Sequence, residues 1–410
     1  MDAEVRRQLG AWIEALRTVG TFAGGGLWRT PFSDDDRRAK ALLAGWMADN
    51  GLGVTYDNGG NLTGSLAGDG DGGGAVLTGS HLDSVKSGGY LDGTLGILAG
   101  LAAAAGLRRA RGTPKRSIDV VALCGEEQSR FRLPFIGSKA IVGALTEAEI
   151  ETVRDEDGVS VAEAMKGAGL DPSDLASARR DDIACFVELH IEQGPVLEAK
   201  GLQAGIVTDI VGITQKAYTI LGEADHGGTT PMTMRHDALR GAVRIIDEIP
   251  EICRRAGEAC VATVGVVDVE PGGPSSVPSA CRFTLDVRDR EAAVRRTILD
   301  EAHALVERVC AEDGLGFEET VHNDIAPTPL DADLTDLFDR AAEAAGVRRQ
   351  RMHSGAGHDA MIFAPHVPTA MVFVPSKGGK SHTPKEFTAL DDIMPGIEVL
   401  YRGLERLAYD

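Results

Sequence analysis

Residues 75–100 read AVLTGSHLDSVKSGGYLDGTLGILAG, and this stretch decides the fold. It opens as a strand of the buried type, Ala75–Leu77, and closes in a helix rich in Gly, Ala and Leu. Between them lies a polar loop carrying His81, Asp83 and Asp92. A core strand that delivers an imidazole and carboxylates at its carboxyl end is the layout of an α/β active site. Neutral imidazole and carboxylate oxygen are the donors that suit zinc, manganese or cobalt. Asp83, two residues past His81, is placed to accept the imidazole's other N–H and fix its tautomer. Gly88, Gly89 and Gly93 supply the backbone freedom that lets the loop fold back, so that Asp92 reaches the same ion. On this stretch alone, solvated acids in a surface loop remain an equal alternative.

The texture recurs downstream. The apolar run Ile118–Cys124 is followed by Gly125, Glu126 and Glu127. Adjacent glutamates at a strand end suit a site where one carboxylate binds metal and its neighbour handles protons. A third run, Ala184–Leu189, ends in His190, with Glu192, Gln193 and Gly194 next. Three buried-type strands, each ending in ligand-type residues, turn the balance towards a metal centre. Strands alternating with helices at this spacing predict a doubly wound α/β sheet. Around it we expect helices over 1–20, 34–49 (capped by Ser33) and 98–109, and a strand pair at 54–56 and 61–66. A glycine-rich loop spans Gly68–Gly74. Towards the end come a helix over 330–346, a loop over 352–359, a strand over 369–374 and a closing helix over 393–407.

From Gly212 the pattern changes. Ile213–Leu221 alternates as a half-buried strand. Thr229, Thr230 and Pro231 are read as opening a helix over Met232–Ile249, with Pro in the first turn. A strand (Cys260–Val269), a turn (Pro271–Pro278), a strand (Cys281–Arg288), a helix (Glu291–Glu312) and a strand (Gly316–Asn323) follow. The order β-α-β-β-α-β is that of a ferredoxin-like unit. The expected architecture is therefore α/β. Residues 1–211 and 326–410 form a catalytic domain with a mostly parallel sheet, and residues 212–325 form an inserted α+β domain.

Composition bounds the function. The 410 residues carry a formal charge of −20, which argues against nucleic acid or an anionic membrane as partner, since both need basic surface. No apolar run approaches a bilayer-spanning length. The first twenty residues read as an amphipathic helix with no small-residue cleavage site. Six scattered cysteines without a CxxC pair argue for reduced thiols and a cytoplasmic protein.

His81-Leu82-Asp83, Asp92-Gly93, Glu126-Glu127, His190 and Ser381-His382 together resemble the metal-site pattern of the di-zinc aminoacylase and carboxypeptidase superfamily. The spellings GSHLDSV, ELHIEQGPVLE, HGGTTPM, LDVRD and SGAGHDA are similar to its amidase/hydantoinase–carbamoylase branch. That branch holds N-carbamoyl-L-amino-acid hydrolases, allantoate amidohydrolases and β-ureidopropionases. The likeness runs from Arg29 to the last helix.

The resemblance implies two divalent ions per subunit: zinc or manganese, with cobalt a third option. It gives His81, Asp92 and His190 to one ion, and Asp92, Glu127 and His382 to the other. Two ions ~3.5–4 Å apart need such a shared carboxylate, and their paired charge makes a metal-bridging hydroxide available near neutral pH. Glu126 is implied as general base. His226 is implied to reach a neighbouring subunit's site and hold the oxyanion, which makes the protein a homodimer and residues 212–325 a lid and dimerisation domain. Arg288 is implied to grip the substrate carboxylate, and Gln193 to lie near the metal-bound group. The Gly355-Ala356-Gly357 turn is implied to offer backbone N–H groups, supported by His358 and Asp359.

Two positions depart from the branch. Ser276 stands in SSVP where Asn is usual, and His353 precedes SGAGHDA where Pro is frequent. The implied activity is hydrolysis of the ureido C–N bond of an N-carbamoyl-L-amino acid or an allantoate-like acid, releasing ammonia and carbon dioxide. The alternative is an aminoacylase or small-peptide hydrolase on the same ions. A catalytically silent binding protein would have lost a ligand or Glu126, and none is lost.

Overall fold

The computed structural model describes residues 3–70, 73–257 and 260–410. The start of the expected first helix and residues 71–72 of the Gly68–Gly74 loop lie outside the described residues. The chain divides into two compact units, Met1–Thr208 with Pro329–Asp410, and Asp209–Thr328.

The first unit is built on a mixed sheet whose centre is parallel. The four central strands lie in the order Ile118–Leu123, Ala75–His81, Ile183–Ile191, Thr369–Val374. Antiparallel strands flank them: Leu62–Leu66 and Gly53–Tyr56 on one side, Ala204–Ile210 on the other. Three of the central strands are buried at every residue and the fourth at all but its first two. Cover on both faces is why their sequences are mostly apolar rather than alternating, with Asp119 and Glu188 as buried exceptions. Because all four point the same way, their carboxyl ends open on one edge of the sheet. The register sets His81 beside Leu123, and Phe373 beside His190.

The helix Thr94–Arg111 packs against the strands, with apolar residues buried on almost every side. Gly96 permits the close approach: a Cβ there would lie 2.4 Å from the Leu189 carbonyl oxygen. The closing helix Leu390–Ala408 shares the same core through Ile393, Ile397, Leu400 and Leu404. Ser33 caps Asp34–Asp49 as expected, its Oγ accepting the Asp36 N–H at 3.2 Å. That satisfies one of the unpaired donors at a helix start.

In the second unit the strands run in the order Val267–Glu270, Ala280–Asp289, Gly212–Leu221, Gly316–Ile325, all antiparallel. The helices Ala238–Ala256 and Ala292–Asp313 bury Ile245, Ile249, Ile298 and Val306 against Tyr218, Phe283 and Leu285. The strand Ala280–Asp289 sits between two strands that are joined by a helix, which is the split β-α-β of a ferredoxin-like fold.

Three local expectations fail. The helix expected from Met232 starts at Ala238, where the Asp237 side chain caps it through the Arg240 N–H at 3.1 Å. Residues 227–235 instead form a turn tied by Arg235, which donates to the carbonyls of Thr230 and Gly227. The helix also runs past Ile249 and through Pro250, because Ile252 and Cys253 continue its buried stripe. The strand expected over Cys260–Val269 is two pieces, Val261–Thr263 and Val267–Glu270. Between them the Val266 N–H turns to Thr284 Oγ1 at 3.1 Å and leaves the ladder. The expected loop over 352–359 begins inside a strand, Arg349–Ser354. Its polar, half-exposed residues hid it from pattern reading. All six cysteines are buried and none is in a disulfide. Among the described residues no helix is long and apolar enough to cross a membrane.

Candidate metal centre

The carboxyl edge of the parallel strands gathers four potential ligands around one carboxylate, that of Asp92. Asp92 Oδ1 faces His190 Nε2 at 3.1 Å and His81 Nε2 at 3.6 Å. Its Oδ2 faces His382 Nε2 at 3.3 Å, and that nitrogen lies 3.0 Å from Glu127 Oε1. Ligand atoms of His81, Asp92 and His190 fall within 4.8 Å of one another, as do those of Asp92, Glu127 and His382. His81, Glu126 and Glu127 form a third such group.

Local structure aims these atoms. The carbonyl of Asp83 lies 3.0 Å from His81 Nδ1, and that of Ile191 lies 2.9 Å from His190 Nδ1. A carbonyl can only accept, so each Nδ1 carries the proton and each Nε2 can present a lone pair. His190 Nε2 also receives the Gly93 N–H at 3.1 Å, consistent with that tautomer. Gly93 has φ +62, and a Cβ there would stand 2.5 Å from the His81 ring. Two non-glycine residues touching Asp92 are held at positive φ, Gln193 at 57° and His382 at 54°. Strain of this kind persists where surrounding structure imposes it, and it clusters at functional sites.

The electrostatics fit a cation. Asp92 is 5% exposed, and its Oδ1 has no hydrogen-bond donor. A buried carboxylate oxygen in that state is costly unless positive charge meets it. Burial opposes charge on His81 and His190, but contact with Asp92 raises both pKa values. His382 is likewise pushed up to about 11: burial works against charge, and Asp92 and Glu127 outweigh it. The acids thus draw protons onto the imidazoles, and a divalent cation competes for the same lone pairs. Burial, with the neighbouring charges of Glu127, Asp359 and Asp83, holds Glu126 well above the usual carboxyl range, against an opposing pull from His81. The donor set of imidazoles and carboxylates around one carboxylate with outward-facing oxygens fits two divalent ions sharing Asp92.

Two expected partners differ in the structure. The Asp83 carboxylate does not take the His81 N–H; Oδ1 is 3.9 Å from Nδ1. It accepts instead from three successive backbone N–H groups, those of Gly125 and Glu126 at Oδ1 and of Glu127 at Oδ2. The imidazole is served by Asp83's main chain. The turn at Gly355-Ala356-Gly357 was expected to offer open N–H groups, yet the Ala356 N–H is engaged by Ser354 Oγ at 3.1 Å. His358 stands edge-on to His190, ring centroids 4.6 Å apart, with its Nε2 2.8 Å from Ser354 Oγ. Gln193 reaches the centre: its Nε2 donates to Asp92 Oδ2 at 3.0 Å.

His226, Ser276 and Arg288 belong to the second unit. Ser276 is the register partner of His226 in a two-residue ladder. The exposed His226 accepts the N–H groups of Gly228 and Thr229 at Nδ1, so its Nε2 carries the proton and is a donor. Arg288 makes a forked contact with Asp286, 2.8 Å from Nε and 3.2 Å from a terminal nitrogen.

Two buried acids beside this centre escaped the sequence reading. Glu188 is the one charged residue in its strand, and its carboxylate accepts from Ser80 Oγ at 2.6 Å and from the Ala360 N–H at 3.0 Å. A carboxylate within the run CFVEL was the available signal. Glu386, 2% exposed, accepts the N–H groups of Leu91 and Asp92. Nothing in the local pattern SHTPKEF marked it.

The chain is similar to known proteins along almost its whole length. The profile of peptidase family M20/M25/M40 matches residues 77–406. An N-carbamoyl-L-amino acid amidohydrolase of Geobacillus stearothermophilus is 41% identical over 395 residues, covering 96% of each chain. An allantoate amidohydrolase of Escherichia coli K12 is 37% identical over 409 residues, covering 100% of both. Among solved structures, a hydantoinase/carbamoylase-family amidase from Burkholderia multivorans superposes with a TM-score of 0.90 at 32% identity, covering 99% of this chain and 98% of that one.

Proposed function

Because the chain belongs to peptidase family M20/M25/M40 and is thereby a hydrolase of C–N bonds, we propose that it cleaves the ureido group of an N-carbamoyl-L-amino acid or an allantoate-like acid. The observation that carries this reading is the Asp92 carboxylate, whose two oxygens face separate imidazole sets beside the Glu126–Glu127 pair. The substrate class is supported by full-length relatives that bear the names N-carbamoyl-L-amino acid amidohydrolase and allantoate amidohydrolase.

His81, Asp92 and His190 would hold one divalent ion, and Asp92, Glu127 and His382 the other. Bound there, such ions lower the pKa of water and polarise a carbonyl oxygen. Glu126 takes the proton of the attacking water and returns it to the departing nitrogen. Asp83 fixes the Glu126 main chain while this happens. His226 of the partner subunit donates its Nε2–H to the oxyanion, in a homodimer formed through residues 212–325. Arg288 binds the substrate carboxylate, for which a planar two-pronged donor is suited. Gln193, Ser276, Gly355 and Ala356 border the substrate, with Ala356 reduced to a shape contact because its N–H is engaged. Water adds across the ureido C–N bond, ammonia leaves, and the carbamate decomposes to carbon dioxide and the free amine. A cytoplasmic location completes the reading, supported by six cysteines without a disulfide; cell fractionation tests it.

The deciding experiment is ammonium release by purified protein loaded with zinc or manganese. It is offered allantoate, N-carbamoyl-β-alanine and a series of N-carbamoyl-L-amino acids. Release from one of these, abolished by a chelator, is the expected result. Turnover of acyl amino acids or dipeptides alone would replace the ureido reading with the aminoacylase one.

A further inference from the structure

Glu386 stands outside every ligand set above, yet both its oxygens are committed. Oε1 accepts the N–H of Leu91 at 2.9 Å and of Asp92 at 3.1 Å. Oε2 lies 3.0 Å from Ser381 Oγ, and Ser381 Oγ lies 2.9 Å from Asp92 Oδ2. Ser381 is the residue before His382. One buried carboxylate therefore joins the turn that carries Asp92 to the loop that carries His382.

Gly89 makes this possible by its missing side chain. A Cβ there would stand 1.9 Å from Glu386 Cδ and 2.0 Å from its Oε1. Gly89 is not among the glycines at positive φ, so the structure uses its emptiness rather than its backbone freedom. The chemistry of Ser381 adds a constraint. A hydroxyl has one proton, and here it sits between two carboxylates, donating to only one at a time. A partner that both accepts the two N–H groups and donates to Ser381 would satisfy every atom, because Ser381 could then give its proton to Asp92.

We propose that Glu386 is a positioning residue for the metal centre. It sets the pose of the Asp92 carboxylate by clamping its main chain and, through Ser381, its Oδ2. This rests on Asp92 being a metal ligand. Groups that hold a ligand in place typically change metal affinity about 10–100-fold when removed.

The test is zinc affinity of the full-length, metal-free protein, measured by competition with a chromogenic chelator, with circular dichroism as a check on folding. Glu386→Ala should weaken binding about 10–100-fold. Gly89→Ala, which drives a methyl into the carboxylate, should do the same. Glu386→Gln should recover most of the loss, since its oxygen accepts the two N–H groups and its amide donates to Ser381. Wild-type affinity in Glu386→Ala overturns the proposal, and so does a Gln variant no better than Ala. If Glu386→Ala does not fold, Gly89→Ala decides: unaltered zinc affinity there overturns the clamp. A wild-type protein that binds no zinc removes the metal centre itself, whereas normal wild-type binding with unaffected variants removes only the role of Glu386.

Discussion

The carboxylate of Asp83 holds the main chain of Glu126. Its Oδ1 accepts the Glu126 N–H at 3.1 Å and the Gly125 N–H at 2.9 Å, while Oδ2 accepts the Glu127 N–H at 3.0 Å. Three consecutive peptide groups converge on one buried acid, so the segment bearing the glutamate pair follows wherever Asp83 is placed. Asp83 stands two residues after His81, and the strand that ends in His81 sets both.

Asp83→Asn should therefore cost more than a lost charge. An amide presents one acceptor and two donors, and its NH2 would face a backbone N–H at this site. A buried donor without a partner costs about 1–3 kcal/mol. The expected outcome is a lower thermal midpoint together with reduced turnover. A variant as stable and as active as wild type would remove Asp83 from its anchoring role.

Glu126→Gln should leave zinc content intact and reduce kcat by roughly 10²–10⁴-fold, the range expected when a positioned acid–base group is lost. Metal analysis beside steady-state kinetics separates the two effects. Activity within about tenfold of wild type, judged on that same scale, would sink the assignment.

Arg288→Ala should raise KM for carboxylate substrates by about tenfold or more, given what hydrogen bonds to a charged group contribute, with kcat less affected. Asp286 already engages the guanidinium, so Asp286→Asn should disturb the same KM more weakly by loosening its aim. An unchanged KM in Arg288→Ala assigns the carboxylate to another residue.

The buried pair Lys40–Asp36, 2.6 Å apart with side chains 7% and 4% exposed, should give the stability curve a basic limb. Burial pulls Lys40 towards the neutral form, yet Asp36, with help from Asp83, raises its pKa above the ordinary 10.5. For a base with a raised folded pKa, the stabilisation is full below the unfolded value and is lost as pH climbs through the folded one. Lys40→Met should destabilise by roughly 3–5 kcal/mol, since it leaves Asp36 buried and unpaired. Urea titrations should show that difference steady up to about pH 10 and shrinking above it. A difference that shrank between neutral pH and that point would contradict the assignment of the shift to this pair.

Much of this molecule was legible in the chain because its signals are local. The runs Ala75–Leu77, Ile118–Cys124 and Ala184–Leu189 are apolar but for Asp119 and Glu188, as befits strands covered on both faces. Ligand types follow each run closely: His81, Glu126–Glu127 and His190. The structure sets His81, Asp92 and His190, and likewise Asp92, Glu127 and His382, within reach of common points. The local misreadings have local causes. Pro231 looks like a first-turn residue, but Asp237 offers the better cap. The Cys260–Val269 run keeps its apolar composition across the break where Val266 leaves the ladder for Thr284.

The sequence by itself therefore determined the fold class and the kinds of atoms brought to the site, since periodicity and residue chemistry are properties of short segments. Only the tertiary structure decided which polar group satisfies which. Asp83 turned to three peptide N–H groups rather than to its neighbour's imidazole. Gly89 proved to be space for Glu386, whose carboxylate reaches Asp92 across 294 residues of chain. The reason is physical: a buried polar group must find a partner or forfeit its desolvation cost. The partners within reach are set by how distant segments close around one another, which spacing along the chain does not encode.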